Sequence, residues 1–235
     1  MSNTDILNFF TEKILDIEMI GEDILNIKFL KPQNFTFLPG QFIQIQIPQN
    51  NITVLRSYSL SSLPQDDYLE ICVKILKNGL AGEYFKKLKI NDKLTFSSAQ
   101  GNFTYPKNDK NKIIFIATGV GLSPLFSILK NELEINKNEQ DFLLLFGNRK
   151  ITDIFWQDRL QNLKNKYKNF NFEIIISDAE QNWTGKTGHV NDYFTDLDFL
   201  NSKFFICGNP NTVLDISKIL LTKKVNIADI HFEIF

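Results

Sequence analysis

Residues 113–124 read Ile-Ile-Phe-Ile-Ala-Thr-Gly-Val-Gly-Leu-Ser-Pro. Five apolar residues in a row, Ile113 to Ala117, read as a strand buried on both faces. The glycines that follow, and then Pro124, predict a turn into a helix, because proline suits the first helical turn. Strand, glycine turn and helix together are the unit of a parallel α/β sheet. Glycines at such a turn also let backbone N–H groups approach a phosphate, and a helix N-terminus adds partial positive charge. The stretch is not the G-x-G-x-x-G fingerprint, since Pro124 stands where the third glycine would be. Two readings therefore stand here: a dinucleotide-binding turn, or a tight turn that simply needs glycine.

Downstream the same grammar repeats. DFLLLF (141–146), FEIIIS (172–177) and FFIC (204–207) are apolar strands with helical segments between them. Upstream, YPKNDKNK (105–112) is polar and carries Pro106, which marks a domain boundary. Before that boundary the pattern changes to alternation with period two, in residues 14–20, 24–30, 41–47, 68–76 and 92–99. Turn signals separate these runs, at Gly21-Glu22-Asp23, Leu38-Pro39-Gly40, Pro48 to Asn51 and Pro64 to Asp67. Short strands at this spacing predict an antiparallel barrel or sandwich, with one short helix over Gly79 to Leu88. The expected fold is thus two domains: an N-terminal antiparallel β-barrel over 1–108 and an α/β parallel-sheet domain over 109–235.

Composition narrows the function. Lys and Arg number 26 against 27 Asp and Glu, so the net charge of -1 favours no nucleic-acid partner. With only two cysteines, Cys72 and Cys207, one chain cannot hold a zinc site or iron–sulfur cluster built on four thiolates. The start, MSNTDILNFFTEK, lacks the basic and apolar regions of a secretory signal, and no apolar run approaches membrane-spanning length. The expectation is a cytoplasmic enzyme with reduced thiols and no membrane association.

Two further stretches call for an explanation. LRSYSLSS (55–62) would be poor core material. Arg56 offers a planar fork for phosphate oxygens, Tyr58 a flat face for a ring, and Ser59 a small donor. An exposed polar strand is the plainer reading of that stretch alone. Alternation puts Arg56 and Tyr58 on one side and Ser59 on the other, so one ligand reaches all three only if the strand ends or bends there. The tail, HFEIF (231–235), is apolar around a single carboxylate, and such a segment should be buried against something.

Taken together, these motifs resemble the ferredoxin–NADP reductase family over nearly the whole chain. Arg56-Ser57-Tyr58-Ser59 is similar to its R-x-Y-S flavin motif, and Ile71-Cys72-Val73-Lys74 to the strand whose backbone runs along the flavin. Gly79-Leu80-Ala81-Gly82 resembles its G-x-x-S/T turn at the flavin pyrophosphate, and Thr118 to Pro124, with Gly119 and Gly121, its G-T-G-x-x-P loop. Gly147-Asn148-Arg149 and Cys207-Gly208-Asn209-Pro210 resemble its G-x-R and C-G-x-x segments. Glu233-Ile234-Phe235 resembles the Glu-x-aromatic ending of the plant-type branch. The resemblance implies a flavin-binding barrel, bound FAD, and hydride transfer from nicotinamide C4 to flavin N5. It also implies electron delivery to an external ferredoxin, flavodoxin or oxygenase component, and a monomer is expected. It assigns Ser59 to the N5 side, Cys207 to the nicotinamide side, Glu233 to supporting Ser59 and relaying protons, and Phe235 to stacking on the isoalloxazine.

Several residues depart from that family. Val120 replaces the threonine of the G-T-G loop, Ser123 a common alanine, and Gly82 the Ser/Thr of the pyrophosphate turn. Ser177-Asp178 stands where NADP-specific members carry Ser-Arg. Aspartate repels a 2′-phosphate and accepts from a ribose diol, which favours NADH. Lys186 and His189 could supply positive or donor groups nearby, so NADPH stays open. Two other classes compete: a reductase that uses free flavin as substrate, and a non-catalytic interaction module.

Overall fold

The structure is a computed structural model and describes residues 7–50, 52–106, 111–194 and 197–234. Phe235 lies outside the described residues. In the first half, β1 (Phe9–Gly21), β2 (Ile24–Leu30), β3 (Phe42–Gln49), β4 (Ile52–Ser59), β5 (Tyr68–Lys74) and β6 (Lys93–Ser97) form one antiparallel sheet in the order β4-β3-β6-β1-β2-β5. Period-two patterning sets the faces: β3 buries Ile43, Ile45 and Ile47 completely and leaves the residues between them at the surface or half-buried. The sheet curls shut where β4 ends. Leu60 bridges Ile71 of β5, and the Ser61 N–H donates to the Glu70 carbonyl at 2.9 Å. That change of partner after Ser59 is the strand end that a single ligand reaching Arg56, Tyr58 and Ser59 would require. Helix α1 (Leu80–Phe85) follows β5 and seats Phe85 in the barrel core.

The second half is a parallel sheet of β7 (Lys112–Thr118), β8 (Phe142–Asn148), β9 (Phe170–Ile176), β10 (Lys186–Thr187), β11 (Ser202–Gly208) and β12 (Ile230–Ile234), in the order β10-β9-β8-β7-β11-β12. Helices α2 (Leu122–Lys130) and α3 (Gln157–Lys166) pack with Phe115, Leu144 and Phe146 on one face. Helix α4 (Pro210–Thr222) packs with Ile114, Ile116 and Ile206 on the other. Burial on both faces explains the unbroken apolar runs. The chain leaves β7 on one side toward β8 and returns on the other as β11. The ends of these strands therefore meet at a switch point, where open α/β sheets bind ligands.

Strand β5 joins the halves. Leu69, Ile71 and Val73 point into the barrel core, while Glu70, Cys72 and Lys74 alternate to the face that meets the α/β domain. Glu70, 2% exposed, accepts both bonds of Arg159 on α3 at 3.1 Å, with Asn26 and Ser61 completing its shell at 3.0 Å each. Ser127 on α2 donates to the Ser62 carbonyl at 2.7 Å.

The tail departs from expectation. It is not a buried apolar cap but the edge strand β12, paired in parallel with β11. Ile230 is buried, yet Phe232 and Ile234 are exposed, and Glu233 between them is half-buried. Alternation on an edge strand decides this, because the face that turns toward the barrel carries the carboxylate.

Candidate functional site

A cleft of about 660 Å³ opens at the switch point, lined from β7, β8, β9 and the start of α4. Thr118, Gly119 and Val120 form its floor on one side. Residues Gly119–Gly121 make one 3-10 turn that runs straight into α2. Gly119 has φ +53 and nothing stands within 4 Å of where a Cβ would be, so the backbone is bare toward the cleft. At Gly121 a Cβ would lie 2.2 Å from the Cys207 carbonyl oxygen, so only glycine lets the turn touch β11. Pro124 is buried within α2. Opposite, Asn209 caps α4 by accepting from the Thr212 N–H at 3.0 Å, with Pro210 in the first turn. Gly208 ends β11 directly beneath this cap. Two helix starts thus face one cleft, an arrangement suited to a pyrophosphate.

The lysine and the arginine that line the cleft are already paired. Arg149 lies 3.9 Å from Asp178, both largely exposed, and the Asp178 N–H donates to the Arg149 carbonyl at 2.8 Å. The Lys74 ammonium is held by Asp23 and, at 3.5 Å, by Asp153. Ser177 and His189 line the cleft, whereas the Lys186 ammonium sits over the Tyr193 ring at 4.5 Å.

Toward the barrel, the Ser59 hydroxyl donates to Glu233 Oε2 at 3.2 Å. This bond joins the end of β4 to the edge strand of the other sheet. Glu233 stands opposite Cys207 in the β11–β12 register, and Cys207 opposite Ala117 of β7. Burial raises the Glu233 carboxyl above the ordinary carboxylate range, and the Ser59 bond pulls it partly back. Burial also pushes the Cys207 thiol well up, and the Glu233 charge adds to that, so Cys207 is a thiol and not a thiolate. The resulting trio is a hydroxyl, a carboxyl that keeps its proton more readily than usual, and a neutral thiol.

The remaining barrel residues lie along β4, β5 and α1. Arg56 and Ser57 are exposed, and the Arg56 guanidinium meets the Leu55 carbonyl but no carboxylate among the described residues. Tyr58 packs edge-on against Phe85 at 5.2 Å, and burial pushes its hydroxyl up to about 12. Val73 is fully buried in the barrel core, so its side chain faces away from any ligand outside. Gly79 precedes α1, and Leu80, Ala81 and Gly82 form its first turn. A guanidinium unmatched by a carboxylate, a half-buried aromatic ring and a serine–carboxyl pair fit a phosphate-bearing flat heterocycle.

The family model for "Oxidoreductase FAD-binding domain" matches residues 12–105, and that for "Oxidoreductase NAD-binding domain" matches residues 115–218. Together they take in most of the chain, with the gap between them at the polar segment around Pro106. The chain belongs to the ferredoxin–NADP reductase family. Its two halves are the FAD-binding and NAD-binding domains of a flavoprotein oxidoreductase.

Relatives of this chain include the anthranilate 1,2-dioxygenase electron transfer component of Acinetobacter baylyi, 30% identical over 83% of this chain and 56% of that protein. The phenol hydroxylase P5 protein of Acinetobacter pittii is 28% identical over 94% of this chain and 64% of its own length. The chain therefore spans between half and two thirds of these curated relatives. Among solved structures, the Amycolatopsis cytochrome P450 reductase GcoB superposes with TM-score 0.89 at 24% identity, covering 97% of this chain and 70% of that one. A Neisseria gonorrhoeae ferredoxin NADP+ reductase with bound FAD and NADP gives 0.85 at 24%, covering 96% and 98%. At such identity these likenesses speak to fold alone.

Sequence reading missed three groups that the fold brings to the site. Asp153 and Asp23 close on Lys74, and Asn148 lines the cleft beside Arg149. No motif marks the two aspartates, since their partner lies on another element. Asn148 sits inside the Gly-Asn-Arg segment, where only the glycine and arginine drew notice.

Proposed function

We propose that this chain is a FAD-dependent NAD(P)H oxidoreductase that prefers NADH and delivers electrons to a protein carrier. The observation that carries the reading is the Ser59–Glu233 hydrogen bond. It ties the flavin-side strand of the barrel to the strand paired with Cys207 in the α/β sheet. Bound FAD supplies a centre that accepts a hydride from reduced nicotinamide and gives electrons up singly or in a pair. Arg56, Tyr58 and the Gly79 to Gly82 turn would hold it, with Phe235 covering its ring as the family resemblance implies. Gly119 and the start of α4 would receive the dinucleotide phosphates. Ser59 orients the Glu233 carboxyl, which burial makes readier than an ordinary carboxyl to take up a proton, and Cys207 fills the space beside it as a small neutral group.

NADH preference rests on charge. Arg149 is met by Asp178, Lys74 by Asp23 and Asp153, and Lys186 is engaged by Tyr193. A 2′-phosphate drawn to Arg149 would also meet the Asp178 carboxylate beside it. The names of the relatives, electron transfer components of dioxygenases, support an oxygenase component, ferredoxin or flavodoxin as acceptor. A monomer in the cytoplasm completes the proposal; among the described residues no helix is long and apolar enough to cross a membrane.

The test is the visible spectrum of the purified protein under anaerobic conditions. A yellow protein bleached faster by NADH than by NADPH bears the reading out. A colourless preparation that still reduces added flavin would instead make flavin its substrate. A yellow protein bleached by neither nucleotide would remove the activity.

A further inference from the structure

Asn148 is the last residue of β8 and lines the cleft. It is 7% exposed, and neither its Nδ2 nor its Oδ1 has a hydrogen-bond partner among the described residues. A buried amide with both ends unmet is costly, and native proteins seldom keep one without a use. Its backbone is fixed: the residue pairs with Ile176 of β9, and its carbonyl accepts from the Ser177 N–H at 3.0 Å. With the backbone held, the side chain can turn only about its own torsions, and because the residue lines the cleft, such a turn brings the amide to a ligand there.

The chemistry of the two ends argues against phosphate and for a group that both donates and accepts. A carboxamide presents a donor and an acceptor side by side. A phosphate at neutral pH only accepts, so it would satisfy Nδ2 and leave Oδ1 facing like charge. A ribose diol both donates and accepts, and can satisfy both ends at once. We infer that Asn148 is a positioning residue that grips a ribose diol of the bound dinucleotide. The inference rests on reading the cleft as a dinucleotide site.

The diol could belong to either ribose of the dinucleotide, and the experiment separates the two. The flavin-loaded full chain is titrated calorimetrically with NAD+ and with two analogues, each lacking both hydroxyls of one ribose. NAD+ does not reduce the protein, so the readout is binding and not turnover. In the wild type, one analogue should bind about tenfold more weakly than NAD+. In Asn148→Ala that difference should vanish, with NAD+ itself weakened to the level of the analogue. Loss confined to the adenosine-side analogue places Asn148 at that ribose, and loss confined to the nicotinamide-side analogue at the other. If Asn148→Ala binds NAD+ as the wild type does, or still distinguishes the analogues as fully, the inference is overturned. If the wild type binds neither NAD+ nor NADH, the dinucleotide reading itself fails. Thermal unfolding without nucleotide gives an independent check. A group kept for a ligand can be removed without lowering Tm, so a clear loss of Tm in both Asn148→Ala and Asn148→Leu would make Asn148 structural instead.

Discussion

At the scale of single residues, charge and protonation set the predictions. Asp178 pairs with Arg149 at the surface, in a region where salt and water weaken such pairs. Asp178→Arg removes a repulsion and adds a donor for a 2′-phosphate. The ratio of kcat/KM for NADPH over NADH should rise about ten- to hundredfold; an unchanged ratio would mean that the 2′ position is read elsewhere. Glu233 has a raised carboxyl pKa in the folded protein. The folded chain then holds a proton that the unfolded chain has already lost, and stability falls as pH rises from the ordinary carboxylate pKa through the folded value. Glu233→Gln cannot lose that proton. Its Tm should match the wild type in acid and exceed it increasingly toward neutral pH, by an amount that a pH series of melting curves would read. A Tm difference that stays flat with pH would show that burial does not hold the proton.

At the scale of elements, the join between halves matters most. Arg159 on α3 bonds Glu70 on β5 through two contacts of 3.1 Å, and its side chain is 34% exposed while that of Glu70 is 3% exposed. Because Arg159 is partly solvated and Glu70 keeps Asn26 and Ser61, Arg159→Ala should cost about 1–3 kcal/mol and lower Tm. A second change, Glu70→Gln, should return part of that loss by removing a buried charge left with only the longer Lys28 contact at 3.9 Å. No change in Tm for the single variant would show that the pair does not hold α3 to β5. This pair also marks the limit of what the sequence discloses. The period-two runs of the barrel, the apolar strands from Ile113 onward and the glycine turn were all readable, because each is local and repeats within a few residues. The Arg159–Glu70 and Lys74–Asp153 pairs were not, since a charged residue does not announce a partner 79 or 89 positions away. The tail was half legible. Its carboxylate drew notice, but only the β11–β12 register shows that Glu233 turns in while Phe232 and Ile234 turn out.

At the scale of the whole molecule, stability should be distributed unevenly. Strands β7 and β11 lie inside their sheet and are buried on both faces, whereas β10 and β12 are its edges. Amides of Ile114 to Ala117 and of Phe204 to Ile206 should exchange with solvent deuterium slowest, near the rate set by global unfolding. Amides of the two-residue strand β10 should exchange faster by orders of magnitude. Equal rates along the sheet, measured by hydrogen–deuterium exchange and mass spectrometry, would contradict this ordering. The Ser59–Glu233 bond has one more consequence, for synthesis. Its two ends lie 174 residues apart. A ribosome adding about 5–20 residues per second leaves roughly ten to thirty-five seconds between the first end and the second. Through that interval the nascent barrel carries Ser59 without its carboxyl partner, so this contact between the two sheets forms only well after the barrel has emerged.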